Sequence, residues 1–263
     1  MAERRVEALL LALALGCALL GFGLPEFGGA GYVPPERPDA GLRVVTWNLG
    51  SPGGRARDRD LKHVAVALLE LDADVVCLQE LAGPEQLAEL LRLMRRLVAS
   101  VADGGVALLV RRLESEPARA PEVGRPAVLV DLRASGAQVR VAGLHASPWS
   151  ARARNAELGA CTGALLADPA DAYLLLGDLN LDPLLDGRSD LFSDDAHLDL
   201  ETYNALAERM TDCGLEAGPT AEPDRRLDYV FARGLRVLAA GVWTSRRVGD
   251  MDHRPLVVDL AWD

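Results

Sequence analysis

Six short segments of this chain set a carboxylate, an amide or an imidazole at the boundary of an apolar run. Val44-Val45-Thr46-Trp47 leads into Asn48, Val75-Val76-Cys77-Leu78-Gln79 into Glu80, and Val139-Arg140-Val141-Ala142-Gly143-Leu144 into His145. Tyr173-Leu174-Leu175-Leu176-Gly177 delivers Asp178-Leu179-Asn180. Asp252-His253 stands just before Leu256-Val257-Val258-Asp259-Leu260, and Asp228 opens Tyr229-Val230-Phe231. A strand this apolar is buried on both faces, so a polar group at its end marks the rim of a sheet, where a ligand can sit.

If these residues converge, their chemistry is constrained. Two bare carboxylates about 4 Å apart repel by roughly 4 kcal/mol at an effective dielectric near 20. Glu80, Asp178 and Asp252 brought together therefore need a cation or a shared proton. Oxygen donors from carboxylates and the amides Asn48 and Asn180 favour magnesium or manganese over zinc, and no Cys/His zinc spacing is present. Magnesium keeps waters that a phosphate oxygen can displace, so phosphate ester cleavage is the reaction expected. Asp178 suits the base that holds the attacking water, with protonated histidines and the Asn180 amide stabilising charge on phosphoryl oxygens. A single Asp or Asn after a strand is more often a turn or helix-cap residue than a ligand, and a lone His more often an ordinary hydrogen-bonded one. Their joint occurrence at strand ends carries the inference.

The elements that would position them alternate along the chain. Leu61, Val64, Ala65, Leu68 and Leu71 follow helical spacing, as do Leu87, Leu90, Leu91, Met94 and Leu97 after Pro84-Glu85. Further helices are predicted over 151–166 and 200–213, the latter ended by Gly214. Strands are predicted near 43–47, 75–79, 105–110, 127–132, 138–144, 173–177, 227–232, 235–243 and 256–260. Some neighbours are joined by short turns and others by helices, which predicts mixed sheets.

At 263 residues, with 49% hydrophobic and 25% charged content, the chain can bury one substantial core. A net charge of −11 counts against tight binding of long duplexes, and Arg55, Arg57 and Arg59 are the nearest thing to a basic stripe. Arg4 and Arg5 precede an apolar stretch from Ala8 to Leu24, predicting a secretory signal or membrane anchor over residues 1–24 and an extracytoplasmic location. Cys17 follows Ala14-Leu15-Gly16, an imperfect lipidation signal, and 25–41 is a Gly/Pro-rich tether. Cys77 is expected in the core, and a Cys161–Cys213 disulfide would suit an exported protein. The Asp-rich stretch 181–199 lacks the pattern of a calcium loop and is expected to be a solvated connection.

Thr46-Trp47-Asn48, Gln79-Glu80, Leu144-His145, Gly177-Asp178-Leu179-Asn180, Arg226-Leu227-Asp228-Tyr229 and Asp252-His253-Arg254-Pro255 occur in the order found in the endonuclease/exonuclease/phosphatase superfamily. Over residues 42–262 the chain resembles that family. The resemblance implies a four-layer α/β sandwich of two mixed β-sheets flanked by helices, and a magnesium-dependent phosphoesterase site at one sheet edge. Asn48 and Glu80 would bind the metal with Asp252 close to it, and Asp178 would activate water. Asn180, His145 and His253 would contact the phosphate, and Asp228 would hold His253. The substrate implied is a phosphodiester, whether nucleic acid, phospholipid head group or small diester, with membrane association through residues 8–24 and no obligate protein partner. The chain departs from the family in two places. No Tyr lies between Tyr32 and Tyr173, where Arg111 or Arg112 could substitute as a phosphate contact although surface solvation suits them better, and Met251 stands where a small hydroxyl residue is common. The competing expectation is a membrane-tethered binding protein that keeps the fold without catalysis.

Overall fold

A computed structural model describes residues 32–38, 41–51, 54–94, 98–118, 124–184, 198–244 and 248–263. In chain order its main elements are β1 (Gly41–Asn48), α1 (Leu61–Leu71), β2 (Val75–Gln79), α2 (Pro84–Met94), β3 (Val98–Asp103), β4 (Val106–Arg111), β5 (Glu114–Ala118), β6 (Ala127–Ala134) and β7 (Ala137–His145). Then come α3 (Ala151–Leu165), β8 (Ala172–Asp178), α4 (Asp199–Ala207), β9 (Thr211–Asp212), β10 (Asp228–Arg233), β11 (Leu235–Val242) and β12 (Leu256–Trp262).

The strands form two six-stranded sheets, in the orders β11-β12-β1-β2-β4-β3 and β5-β6-β7-β8-β10-β9. Each is mixed: β1–β2 and β7–β8 are parallel, while the other pairs are antiparallel. The period-2 alternation of a strand divides its side chains between two cores. Leu42 and Val44 of β1, Val139 and Val141 of β7, Leu174 and Leu176 of β8, and Val230 and Ala232 of β10 pack between the sheets. Val45, Trp47, Val76 and Leu78 face outward under α1 and α2, where Val64, Leu68, Leu90 and Met94 cover them. Leu144, Leu175 and Phe231 lie on the outer face of the second sheet, under Leu158, Cys161 and Leu165 of α3 and Leu206 of α4. The result is the expected four-layer α/β sandwich.

Several local expectations are corrected. β3 and β5 were not expected as strands. Both are edge strands, and Pro117 is tolerated in β5 because an edge leaves backbone N–H groups without ladder partners. The fourth helix ends at Ala207 rather than 213, because Thr211 and Asp212 pair with β10. Gly214 follows that pairing and lies against Leu256 instead of capping a helix. Cys77 is core, as expected. Cys161 and Cys213 are free thiols, not a disulfide: Cys161 lies in the outer core of the second sheet and Cys213 between the sheets. Burial pushes both thiols up to about 12, which leaves them inert. The predicted signal or anchor (1–24), Cys17 and most of the tether lie outside the described residues. Among the described residues, no helix is long and apolar enough to cross a membrane.

Candidate active site

The same alternation that fills the inter-sheet core places the site. Counting in twos from Val44, Val141, Leu176 and Val230, the strand-end residues Asn48, His145, Asp178 and Asp228 belong to the inner face. In the second sheet, Asp178 is paired in register with His145 on one side and with Asp228 on the other. Cross-strand neighbours of this kind project their side chains together. Asn48, at the end of β1 in the first sheet, meets them across the sandwich: its Nδ2 donates to Asp178 Oδ2 at 2.9 Å and to Glu80 Oε1 at 3.2 Å.

Two glycines make this approach feasible. Gly177 has φ +151°, and a Cβ there would lie 1.9 Å from Leu144 O, so a side chain would split β7 from β8 beside His145 and Asp178. Gly50 donates its N–H to Asn48 Oδ1 at 2.8 Å. A Cβ on Gly50 would stand 2.3 Å from Glu80 Oε2 and 3.1 Å from Asn48 Oδ1. One carboxylate oxygen and one amide oxygen therefore converge on space that only the missing side chain keeps open.

Backbone strain sits at the same place. Glu80 (φ 61°) and Asn180 (φ 50°) are both left-handed. Asn adopts this region readily; Glu does so at a cost of roughly 1–2 kcal/mol. Glu80 is held there from both sides, since Ala56 N–H donates to Glu80 O at 3.0 Å and Leu81 N–H to Gly105 O at 3.1 Å. Asn180 N–H donates to Asp178 Oδ1 at 3.0 Å and its Nδ2 to Ala146 O at 3.0 Å, leaving one amide hydrogen directed elsewhere.

His253 completes the cluster from the loop before β12. Its Nδ1 lies 2.8 Å from Asp228 Oδ2 and its Nε2 3.8 Å from Asp178 Oδ2, while His145 Nε2 approaches the same Asp178 oxygen to 3.6 Å. Burial works against a charge on His253, but the carboxylates of Asp228, Asp178 and Asp252 outweigh it and raise its pKa to about 10. Burial pushes Asp228 upward as well, opposed by the His253 charge. The pair holds one proton on the imidazole side, so His253 is a cation at neutral pH.

The hard-metal expectation can be tested on these atoms. Asp178, Asp228 and His253 bring donor atoms within 4.8 Å of one another. With Asp228 Oδ2 2.8 Å from His253 Nδ1 and Asp178 Oδ2 3.8 Å from its Nε2, this trio forms a carboxylate–imidazole–carboxylate chain. The Glu80 and Asn48 oxygens beside Gly50 are the donor set that fits a hard divalent ion. Asp252 adds negative charge near His253, and its carbonyl accepts from Glu222 N–H at 2.9 Å.

Arg111 and Arg112 do not take the substitute role at the site: both are bound to Asp72, Arg111 buried and Arg112 exposed. In the Asp-rich stretch, Asp182 is bonded to Arg225 at 2.8 Å and Asp199 to Arg154 at 2.7 Å, so its two ends are ion-paired rather than solvated. Asp186, Asp190, Asp194 and Asp195 lie outside the described residues. Met251 packs into the outer core of the first sheet, replacing a polar support with an apolar one. Sequence reading missed Thr220, whose buried hydroxyl accepts from the N–H groups of Leu227 and Asp228 at 3.1 Å each. Its carbonyl accepts from Arg254 N–H, so it anchors both Asp228 and the His253 loop. A lone Thr in a Gly/Pro-rich connection gives no signal of this.

A family model described as the endonuclease/exonuclease/phosphatase family matches residues 45–255. No curated protein sequence matches the chain. Among solved structures, an endonuclease/exonuclease/phosphatase from Beutenbergia cavernae is 23% identical, with a TM-score of 0.65 over 85% of this chain and 72% of its own. The human Nocturnin catalytic domain with bound sulfate is 19% identical, with a TM-score of 0.65 over 88% and 96%. D. rerio TDP2 complexed with a single-strand DNA product is 18% identical, with a TM-score of 0.64 over 84% and 99%. At these identities the likeness establishes a shared fold.

Proposed function

Since the chain belongs to the endonuclease/exonuclease/phosphatase family and has the fold of its hydrolytic phosphoesterases, we propose that it is a magnesium-dependent phosphodiesterase whose attacking water is held by Asp178. The observation that carries this reading is the convergence on Asp178 Oδ2 of Asn48 Nδ2 at 2.9 Å, His145 Nε2 at 3.6 Å and His253 Nε2 at 3.8 Å. One carboxylate oxygen thus sits among one amide donor and two imidazoles.

Each residue then has a role set by its surroundings. Asn48 and Glu80, with Asp252 nearby, would hold the ion, with manganese as a substitute. Magnesium, when bound, supplies positive charge to phosphoryl oxygens. Asp178 accepts a proton from water while Asn48 Nδ2 and the Asn180 N–H fix its two oxygens in one orientation. His253, kept charged by Asp228, donates Nε2–H to a phosphoryl oxygen as negative charge builds there. His145 approaches from the neighbouring strand, and the remaining Asn180 amide hydrogen supplies another donor. The apolar stretch Ala8–Leu24 supports a site of action outside the cytoplasm or at a membrane surface.

The test is hydrolysis of bis(p-nitrophenyl) phosphate with and without magnesium by the parent, Asp178→Asn and His253→Ala. Magnesium-dependent turnover that falls in both variants is expected; variants as active as the parent would remove the assignment.

A further inference from the structure

A cavity of about 270 Å³ opens against Leu81, the residue after Glu80, and nothing in the proposed reaction uses it. Leu81, Pro84, Leu87 and Val106 give it an apolar floor, with Arg55 and Asp103 on its polar sides. It is tied to both halves of the site. Ala56, next to Arg55, donates its N–H to Glu80 O, and Leu81 N–H binds Gly105 O in the β3–β4 turn. That turn reaches the second sheet: a Cβ on Gly104 would meet Pro126 at 2.6 Å, and Pro126 O accepts from His145 N–H at 3.4 Å. The cavity is thus bounded by the residue after Glu80 and by the β3–β4 turn that rests on Pro126, the backbone partner of His145.

Its chemistry selects an occupant. Arg55 is exposed, its sole contact among the described residues is a long 3.5 Å approach to Ala82 O, and no described carboxylate pairs with it. Asp103 bonds Ala127 N–H at only 3.4 Å, leaving acceptor capacity. An acyl chain in this space would desolvate a guanidinium and a carboxylate without replacing their hydrogen bonds. A flat heteroaromatic ring would instead bury its faces against Leu81, Pro84 and Leu87, stack under the Arg55 guanidinium and offer N–H donors at its edge to Asp103. We propose that this cavity binds the nucleobase next to the scissile phosphate, which makes the substrate a nucleotide diester. The inference rests on the phosphodiesterase reading and narrows it. With a net charge of −11, the chain suits short or single-stranded nucleotide substrates rather than long duplexes.

The test uses the full chain in two arms. In the first, dinucleoside monophosphates and their abasic counterparts are hydrolysed with magnesium. The parent is expected to favour the base-bearing diesters about 10-fold in kcat/KM, an advantage that Arg55→Ala removes without changing abasic cleavage. In the second, calorimetry compares a nucleoside 5′-monophosphate with ribose 5-phosphate on the parent, Arg55→Ala and Asp103→Asn, and needs no turnover. Base-selective binding, weakened in both variants, without hydrolysis of any diester would keep the base subsite and sink the phosphodiesterase reading. Hydrolysis at equal rates with and without the base, with equal affinities in Arg55→Ala, would overturn the subsite and leave the phosphodiesterase. A preference for glycerophospholipid diesters, or an absence of both turnover and binding, would also overturn it.

Discussion

β1 carries Arg43 near one end and Asn48 at the other, and the two ends of the sandwich treat charge in opposite ways. At the Arg43 end, Arg43 binds both oxygens of Asp259 at 2.7 and 2.9 Å, and Asp74 accepts from Arg37 at 2.6 Å and from Arg43 N–H at 2.9 Å. Asp72 holds Arg111 and Arg112. Each of these three acids meets a guanidinium. At the Asn48 end, Asp178, Asp228 and Asp252 are gathered around the imidazolium of His253, and Glu80 shares the Asn48 amide with Asp178. The difference teaches that buried charge by itself does not mark a functional site. What marks it is buried negative charge that the chain's own cations leave uncancelled, together with left-handed backbone at Glu80 and Asn180.

The sharpest way to break this contrast is to remove the proposed base. Asp178→Ala is expected to lower kcat for magnesium-dependent diester hydrolysis by about 10²–10⁴-fold, the range for a general base. Its urea unfolding midpoint should shift far less than that of a change at the opposite end. There, Arg43→Met leaves Asp259 buried without its partner, and a loss of about 3–5 kcal/mol in unfolding free energy is expected. Turnover per folded molecule should be that of the parent. If Arg43→Met abolished turnover in the folded protein, or Asp178→Ala unfolded it, the two ends would not be separable as argued.

A smaller effect sharpens the electrostatic side. An ion that binds only the folded state adds about 2.7 kcal/mol of stability at 100 times its Kd. Magnesium should therefore raise the thermal midpoint of the parent and of Arg43→Met alike. Glu80→Gln should lose that rise, because one of the two oxygens converging beside Gly50 becomes a weaker ligand. Without metal it should be at least as stable as the parent, since a carboxylate crowded near Asp178 has gone. A full magnesium shift in Glu80→Gln would move the ion away from Asn48 and Glu80.

How much of this was legible in the sequence follows from where each signal is stored. Strands buried on both faces announce themselves as apolar runs, so β1, β2, β7, β8 and β10 were readable, with a candidate site residue closing or following the first four and opening β10. Edge strands β3 and β5 bury less and tolerate residues such as Pro117, so composition hid them. The identity of a cation's partner is a tertiary fact. Arg111 and Arg112 read as solvated cations or substitute phosphate contacts until the end of β4 put them beside Asp72, and the acids bordering the 181–199 stretch looked solvated until Arg225 and Arg154 met them. Cys161 and Cys213 failed as a disulfide because one sheet separates their cores, which spacing along the chain does not encode. Thr220 was invisible because its hydroxyl acts on backbone N–H groups seven and eight residues away.

The finest test is pH, because the two ends should fail at opposite limits. His253 has its pKa raised to about 10: burial opposes its charge, and Asp228, Asp178 and Asp252 more than restore it. Its stabilising contribution is complete below the unfolded value near 6.5 and is lost as pH rises through about 10. Asp72 is the reverse. Burial works against its charge, hydrogen bonds from Arg112 and Arg111 outweigh that, and its pKa falls to about 2. Its contribution is present above 3.8 and is lost as pH falls through about 2. In metal-free buffer, the thermal midpoint of the parent minus that of Asp228→Asn should therefore shrink on the alkaline side, between about pH 6.5 and 10. The difference from Asp72→Asn should shrink on the acid side instead, and by less, since Asp72 is partly exposed and screened by solvent. Parallel alkaline limbs for the parent and Asp228→Asn would mean that His253 is not held as a cation by Asp228, and the site end would lose the one positive charge on which its contrast with the Arg43 end depends.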